Sequence, residues 1–238
     1  MKNLALIIAG GIGSRTGQDI PKQFLNVCDK PVIVYTLAAF QSHPSIDAIE
    51  VVCLDGWHDI LRAYCKQFGI TKLENIVSGG KEGQDSIRNG LTDLASRHAD
   101  DSDIVLIHDS IRPMISAEII SDNIRVCRAK GNAITVVPCT SAMLRTEDGE
   151  VSTAQVPRDN LKNTQTPQTF FLKDVLGAHR EALEKGITAS VSSCTMYVEL
   201  GRKLHLAYGS EKNLKITTSE DVELFTAILR TFRPEWFK

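Results

Sequence analysis

At 238 residues, the chain has room for one large domain or for a domain with a protruding element. Its composition, 42% hydrophobic and 24% charged, is typical of soluble globular proteins. The formal net charge of −2 argues against a general nucleic-acid binder, and no apolar run approaches the roughly 18 residues of a membrane span. No signal peptide is predicted, because the short apolar run after Lys2 gives way directly to glycines.

The cysteines favour a reducing location. They are far apart in the sequence, no two of them form a CxxC pair, and several lie inside apolar runs. We therefore interpret them as small buried side chains that neither form disulfides nor bind a metal. We expect a cytoplasmic protein. The six are Cys28, Cys53, Cys65, Cys127, Cys139 and Cys194.

Short apolar runs alternate along the chain with segments of helical period. The apolar runs predict strands at residues 4–9, 48–54, 75–77, 103–108, 133–137 and 203–208. Helices are predicted at residues 31–41, 57–68, 84–98, 117–128, 173–185 and 219–231. This alternation predicts a single α/β domain over 1–238, in which a mostly parallel, Rossmann-like sheet is covered by helices on both faces.

The alternation breaks at Pro138, where a β-hairpin is predicted. Two strand-like runs, 143–146 and 151–153, flank Asp148-Gly149, and this dipeptide is a strong hairpin signal. The hairpin, at about residues 139–160, is either an ornament at the sheet edge or an arm that reaches a partner subunit. We favour the arm.

The first strand opens into a glycine-rich loop suited to polyphosphate. Residues 10–15 read Gly-Gly-Ile-Gly-Ser-Arg, so backbone N–H groups are exposed, and Arg15 and Lys22 add positive charge. The loop is not a P-loop, since no Gly-Lys-Ser/Thr follows, and a dinucleotide fingerprint fails at Thr16. A glycine-rich turn with two solvated charges is the structural alternative.

Three later segments hold further candidates, each with a structural alternative. Residues 79–86 join a strand to a helix and either contact the polar edge of a base or form an N-cap turn. Asp109 ends a buried strand, where ligands of open α/β sheets bind, and either holds Mg²⁺ or pairs with Arg112. Lys215, in a short apolar setting before two threonines, is by itself typical of a surface lysine.

These segments occur together, and in this order, in one family. The chain resembles the cytidylyltransferases that activate sugar or polyol phosphates with CTP: the methylerythritol 4-phosphate enzymes of isoprenoid synthesis and the ribitol 5-phosphate enzymes of teichoic acid and capsule synthesis. The resemblance covers nearly the whole chain and rests on residues 9–15, 21–24, 79–80, 108–113, 166–170 and 213–217. It implies a nucleotidyltransferase fold and the Mg²⁺-dependent transfer of CMP from CTP to a phosphate acceptor, with release of pyrophosphate.

Details of the motifs resemble the ribitol branch more than the methylerythritol branch. Gly10-Gly11 stands where methylerythritol phosphate enzymes usually read Ala-Ala-Gly, and residues 108–113 read His-Asp-Ser-Ile-Arg-Pro instead of His-Asp-Ala-Ala-Arg-Pro. The expected reaction therefore converts D-ribitol 5-phosphate to CDP-ribitol for a cell-wall or capsule polymer. Activation of 2-C-methyl-D-erythritol 4-phosphate is the alternative.

The resemblance also implies roles for individual residues. Those implied to be catalytic are Arg15, Lys22 and Lys215. Those implied to bind CTP are Ala9, Gly10, Gly11, Gly13, Gly80, Ser86 and Arg112, and Asp109 would place Mg²⁺. The acceptor set is Ser141, Arg158 and Ser192. Arg158 resembles an arginine that reaches the acceptor phosphate of a neighbouring subunit, which implies a homodimer through the arm.

Departures from the family pattern cluster on the acceptor side. Ser141-Ala142 replaces the usual Asp-Thr, and Val191-Ser192 replaces Thr-Asp, while Gly83 replaces an arginine of the base loop. A changed acceptor explains these better than loss of activity does. A non-catalytic nucleotide-binding protein on the same fold is the alternative from another class. Such a protein would tolerate loss of Lys22, Asp109 or Lys215, yet all three residues are present.

Overall fold

A computed structural model of the chain describes residues 1–11 and 20–231. The strands are β1 (Asn3–Ala9), β2 (Asn26–Val27), β3 (Lys30–Pro31), β4 (Ala48–Cys53), β5 (Leu73–Ser78), β6 (Ile104–Asp109), β7 (Asn132–Pro138), β8 (Met143–Arg145), β9 (Ala154–Val156), β10 (Lys162–Phe171) and β11 (Leu206–Tyr208). The helices are α1 (Val32–Ser42), α2 (His58–Gln67), α3 (Gly83–Arg97), α4 (Ala117–Lys130), α5 (Leu172–Glu184), α6 (Ser193–Glu199) and α7 (Ser219–Thr231). A short 3-10 turn spans Lys22–Phe24.

Seven strands form the central sheet in the order β11-β7-β10-β6-β1-β4-β5. All neighbouring pairs are parallel except those of β10, which runs antiparallel to both β6 and β7. The predicted α/β class with a mostly parallel sheet is confirmed. The carboxyl ends of β1, β4, β5 and β6 share one edge, so the loops that follow them face the same region.

Helices cover both faces of the sheet because the central strands are apolar on both sides. One face packs on α1, α2 and α4 around residues such as Phe40, and the other packs on α3, α5 and α6 around Phe170. A smaller cluster under α7 joins Phe225 to Tyr35 and Ile216. In the described ranges, 1–11 and 20–231, no helix is long and apolar enough to cross a bilayer.

Besides β2, β3 and the 3-10 turn, two elements of the structure are not predicted from the sequence. The strand β10 was missed because its first half is polar and exposed and because Pro167 interrupts it, with a register shift between Thr164 and Gln168. The helix α6 was missed because it has only seven residues and lies after a short polar loop. β10 lies next to β6, and its Thr166 hydroxyl contacts the Asp109 N–H, so the missed strand borders the end of β6.

The predicted hairpin exists, but its second strand starts later than expected. The sequence predicts the return strand at 151–153, whereas β9 spans Ala154–Val156. The polar turn is longer because the Asp148 side chain accepts hydrogen bonds from the N–H groups of Glu150 and Val151. These bonds keep Val151 in the turn, and the strand begins only after it.

A buried glutamate in β4 makes stability depend on pH. Glu50 is fully buried and contacts Arg97, which also pairs with Asp93 and Glu74. Burial, followed by the adjacent Asp93, raises the pKa of Glu50 from 4.5 to about 9 despite Arg97. The folded state therefore keeps a proton that the unfolded state loses, and stability falls as pH rises from 4.5 toward 9.

We expect Glu50→Gln to flatten this loss of stability. Glutamine keeps the shape of the side chain and its hydrogen-bond donor but does not titrate. Urea unfolding of the variant and of the parent chain at pH 6, 7, 8 and 9 gives the unfolding free energy as a function of pH. Its slope is at most about 1.4 kcal/mol per pH unit for one proton. Equal slopes in the variant and the parent chain would show that Glu50 is not the titrating group.

Candidate active site

Two glycine loops meet beside the carboxyl ends of β1 and β5. The N–H of Gly79 donates to the carbonyl of Cys53, the last residue of β4, at 3.1 Å. A Cβ added to Gly10 would lie 3.6 Å from the Gly79 Cα and 3.5 Å from Ser86 Oγ. Gly10, at the start of the predicted phosphate loop, therefore lies beside the predicted base loop.

The predicted base loop is a hydrogen-bonded turn in front of α3. Ser86 Oγ accepts from the Gly80 N–H at 2.9 Å and donates to the Glu82 carbonyl at 3.1 Å. Glu82 is the N-cap of α3 and forms a capping box with Asp85. The N-cap alternative considered for this segment is thus present, and the Ser86 hydroxyl shapes the turn that would contact a base.

Gly80 is a position in this turn without room for a side chain. A Cβ there would lie 2.3 Å from Asp85 Cβ and 3.0 Å from the Ser86 nitrogen, so the turn would have to move. We expect Gly80→Ala to destabilise the fold by about 1–3 kcal/mol and to raise the KM for CTP about tenfold. Thermal unfolding and steady-state kinetics measure the two effects.

Gly83→Ala is the matched control, because a Cβ at Gly83 meets nothing within 4 Å. Its KM for CTP should stay within about twofold of the parent value, since alanine is a better helix residue than glycine and nothing is displaced. If the KM for CTP is unchanged in Gly80→Ala, this turn is not part of the nucleotide site.

A carboxylate between two cations lies where β6 ends. Asp109 Oδ2 is 3.1 Å from Lys215 Nζ and 3.3 Å from Arg112 Nε. Burial alone would raise the pKa of the Asp109 carboxyl, but the Lys215 and Arg112 charges outweigh burial and hold that pKa below its ordinary value. The Asp109–Arg112 pair proposed as the alternative is therefore present, and Lys215 is part of the same cluster, not an isolated surface lysine.

A chain of hydrogen bonds fixes the backbone of this cluster. Thr166 Oγ1 accepts from the Asp109 N–H at 3.1 Å and forms a second hydrogen bond with His108 Nδ1 at 3.0 Å. His108 Nε2 then donates to the Arg112 carbonyl at 3.2 Å. Burial lowers the pKa of His108 to about 4, so the ring is neutral at pH 7. Sequence reasoning had assigned no role to His108 or Thr166.

The loop that carries Lys215 is anchored to β10. Asn213 is fully buried, and its side-chain nitrogen donates to the Thr166 carbonyl at 2.8 Å. Its own carbonyl accepts from Arg112 Nη1 at 2.7 Å. Gln165 adds a bond from its side-chain nitrogen to the Ser210 carbonyl at 2.9 Å. Gln165 and Thr166, which lie at the register shift of β10, thus connect Asp109 to the loop at residues 210–215.

Lys22, a cation predicted to be catalytic, lies on a turn that packs against the start of the glycine loop. Lys22 belongs to the 3-10 turn and is half-buried. Its neighbour Gln23 is buried and donates to the carbonyls of Ala9 and Gly11. Gly13 and Arg15, also predicted to bind triphosphate, lie in 12–19, outside the described residues. The described part of the loop therefore ends at Gly11.

The predicted acceptor residues lie on two separate elements. Ser141 is exposed at the base of the β8–β9 hairpin, where Arg158 Nη1 donates to the Thr140 carbonyl. Ser192 is the N-cap of α6, and its hydroxyl accepts from the Thr195 N–H at 3.3 Å. Val191, which precedes it, is 94% exposed. The structure therefore records contacts of these residues within their own elements, and their role toward an acceptor stays a prediction.

Asp109 is the carboxylate that the sequence predicts to place Mg²⁺. Among residues 1–11 and 20–231, no group of three or more His, Cys, Asp or Glu side chains could hold a metal ion by itself. Mg²⁺ commonly binds through one or two carboxylates and completes its shell with substrate phosphates and water. A single carboxylate at the end of β6 is compatible with that pattern, and the role of Asp109 toward Mg²⁺ stays a prediction.

The sequence and the fold of this chain are those of a nucleotidyltransferase. The chain belongs to one family of these enzymes, IspD, 2-C-methyl-D-erythritol 4-phosphate cytidylyltransferase, which matches residues 4–231. It is accordingly an enzyme of the cytidylyltransferase class.

Two groups of relatives are similar over nearly the whole chain. A ribitol-5-phosphate cytidylyltransferase of Lacticaseibacillus paracasei is 41% identical over 228 residues, which cover 95% of this chain and 97% of that protein. A 2-C-methyl-D-erythritol 4-phosphate cytidylyltransferase of Geotalea uraniireducens is 37% identical over 236 residues, 99% of this chain and 100% of that protein. The solved 4-diphosphocytidyl-2C-methyl-D-erythritol synthase of Anaerococcus prevotii has a TM-score of 0.82 at 25% identity, covering 96% of each chain.

Proposed function

We propose that this protein transfers CMP from CTP to D-ribitol 5-phosphate, forming CDP-ribitol and pyrophosphate for a cell-wall or capsule polymer. The observation that carries the proposal is the Asp109–Arg112–Lys215 cluster at the edge where the glycine loops meet. The choice of acceptor is supported by the ribitol-5-phosphate relatives, at 41% and 40% identity, and by the ribitol-like readings at residues 10–11 and 108–113.

The donor half of the proposed site binds and orients the triphosphate. Backbone N–H groups at Gly10 and Gly11 would face its oxygens, while Lys22 and Arg15 would add positive charge. Mg²⁺, held by Asp109, would neutralise charge on the triphosphate. Phosphoryl transfer needs little covalent help from protein, so positioning and cationic stabilisation account for most of the catalysis.

The transfer itself is an in-line displacement at the α-phosphorus. A phosphate oxygen of the acceptor attacks, the bond to the β-phosphate bridge breaks, and pyrophosphate leaves with that electron pair. Lys215 and Lys22 would neutralise the charge that builds on the α-phosphoryl oxygens. Lys215 is suited to this role for two reasons. Its side chain is 42% exposed, so a ligand can reach it, and Asp109, at 3.1 Å, holds its ammonium group in position.

We also propose that the protein acts as a homodimer through the β8–β9 hairpin. Apolar side chains on this hairpin are exposed: Met143 by 42%, Leu144 by 68% and Val151 by 65%. Exposed apolar groups on a protruding element are typical of a surface that a partner covers. In the dimer, Arg158 would approach the acceptor phosphate of the neighbouring subunit.

Pyrophosphate release with a panel of acceptors tests the proposed function. The purified protein, CTP and Mg²⁺ are incubated with ribitol 5-phosphate, 2-C-methyl-D-erythritol 4-phosphate and other sugar phosphates. We expect the highest kcat/KM with ribitol 5-phosphate, by at least about tenfold. A preference for the methylerythritol compound would overturn the choice of acceptor, and no release with any acceptor would favour a non-catalytic nucleotide-binding protein.

A further inference from the structure

One buried amide lies directly against the described part of the glycine loop. Gln23 is only 2% exposed. Its side-chain nitrogen donates to the Ala9 carbonyl at 2.8 Å and to the Gly11 carbonyl at 3.0 Å. A single –NH₂ group thus holds two carbonyls that flank Gly10, the residue where the strand becomes the loop.

These bonds determine which backbone groups the loop can offer to an anion. In a trans peptide the carbonyl and the following N–H point in opposite directions. Because the Ala9 carbonyl points to Gln23, the N–H of Gly10 points away from it. The same amide also keeps two carbonyl oxygens, which would repel a phosphate, turned toward the interior. Gly10 can thereby present its N–H to an anion, while the Ala9 and Gly11 carbonyl oxygens stay bound to Gln23.

Gln23 is itself held on a fixed support. It lies in the 3-10 turn, which the Phe24 N–H closes by donating to the Pro21 carbonyl at 2.8 Å. The Phe24 ring stacks on Trp57, with ring centroids 4.4 Å apart and planes 18° apart. The same short turn carries Lys22, so the position of that cation and the position of the loop are set by one element.

We propose that Gln23 is a positioning residue for the triphosphate. It orients the Ala9–Gly11 backbone for anion binding and sets its distance to Lys22. This inference rests on the proposed function in that the bound anion is the triphosphate of the donor nucleotide. It adds a residue that touches no substrate and acts through backbone carbonyls.

Gln23→Glu tests the proposal with almost no change of shape. An ionised carboxylate has no hydrogen to donate, and it would face two carbonyl oxygens. We expect binding of inorganic tripolyphosphate, measured by calorimetry, to weaken about tenfold or more, since two hydrogen bonds that prepare the loop are lost. The KM for CTP should rise by a similar factor, while the KM for the acceptor stays within about twofold.

Gln41→Glu is the matched control. Gln41 also makes two hydrogen bonds, to Thr71 Oγ1 at 3.0 Å and from the Lys72 N–H at 2.8 Å, but it lies at the end of α1. Its tripolyphosphate affinity should equal that of the parent chain. If Gln23→Glu does not fold, Gln23→Met removes the donors without adding charge and should give the same loss.

The outcomes separate this proposal from the proposed function. Unchanged tripolyphosphate affinity in a folded Gln23 variant would overturn the role of Gln23. An equal rise in the KM values for CTP and acceptor would also overturn it, because that pattern indicates general damage. If the parent protein binds tripolyphosphate but transfers no CMP, the proposed reaction fails, and the binding comparison still decides the role of Gln23.

Discussion

We expect Lys215→Met to lower kcat about a hundredfold while the KM for CTP changes by less than about fivefold. Methionine keeps the length of the side chain but removes the charge that would stabilise the α-phosphoryl oxygens as they become more negative. Because that charge matters most in the transition state, the loss should appear in kcat. Steady-state pyrophosphate release at saturating Mg²⁺ measures it.

Lys173→Met is the control for this variant. Lys173 pairs with Asp101 at 2.7 Å, near the amino end of β6, whereas Lys215 pairs with Asp109 at its carboxyl end. Both lysines are exposed and paired with an aspartate. Each variant therefore removes one paired ammonium group, at opposite ends of the same strand. Turnover by Lys215→Met that matched Lys173→Met would show that Lys215 takes no part in the transfer.

The second large effect is expected from Asp109→Asn, which should lower kcat/KM at least about a hundredfold. The amide keeps the shape of the side chain, and the Asp109 backbone N–H can still bond to Thr166. The variant loses the negative charge that would hold Mg²⁺ and that now faces Lys215 and Arg112. The Mg²⁺ concentration for half-maximal rate should rise about tenfold.

A magnesium titration of pyrophosphate release checks this expectation, with Asp101→Asn as the matched variant. Asp101 is 74% exposed and should show the parent magnesium dependence. If Asp109→Asn lost activity without any change in the magnesium titration, Asp109 would be orienting Lys215 and Arg112 and not holding the metal.

The sequence was sufficient to predict the parallel part of the sheet and the strand ends that carry the site. Strands such as β1 and β6 are apolar on both faces, so a continuous apolar run identifies them, and each leads into a loop at the ligand-binding edge. Asp109 could be placed there for that reason. Its proximity to Lys215, far away in sequence, was implied only by the family resemblance.

The supporting contacts could not be predicted, because they depend on an antiparallel strand with no clear periodicity. Thr166 and Gln165 act through a register shift in β10, and a polar stretch with a proline does not indicate a strand. Gln23 and His108 lie in recognisable motifs, yet their partners are backbone carbonyls. Because every residue has a carbonyl, no sequence pattern can reveal such partners.

The neighbouring positions of β7 and β10 have a consequence for how this fold can vary. Pro138 and Lys162 are paired residues of the antiparallel ladder, so the chain leaves and re-enters the sheet at adjacent points. Paired Cα atoms in such a ladder are about 5 Å apart, a gap that a two-residue turn can close. The hairpin is therefore an insertion between two paired residues of the sheet. It can be lengthened, shortened or rebuilt for a different partner, while the sheet and the Asp109–Lys215 pair stay unchanged.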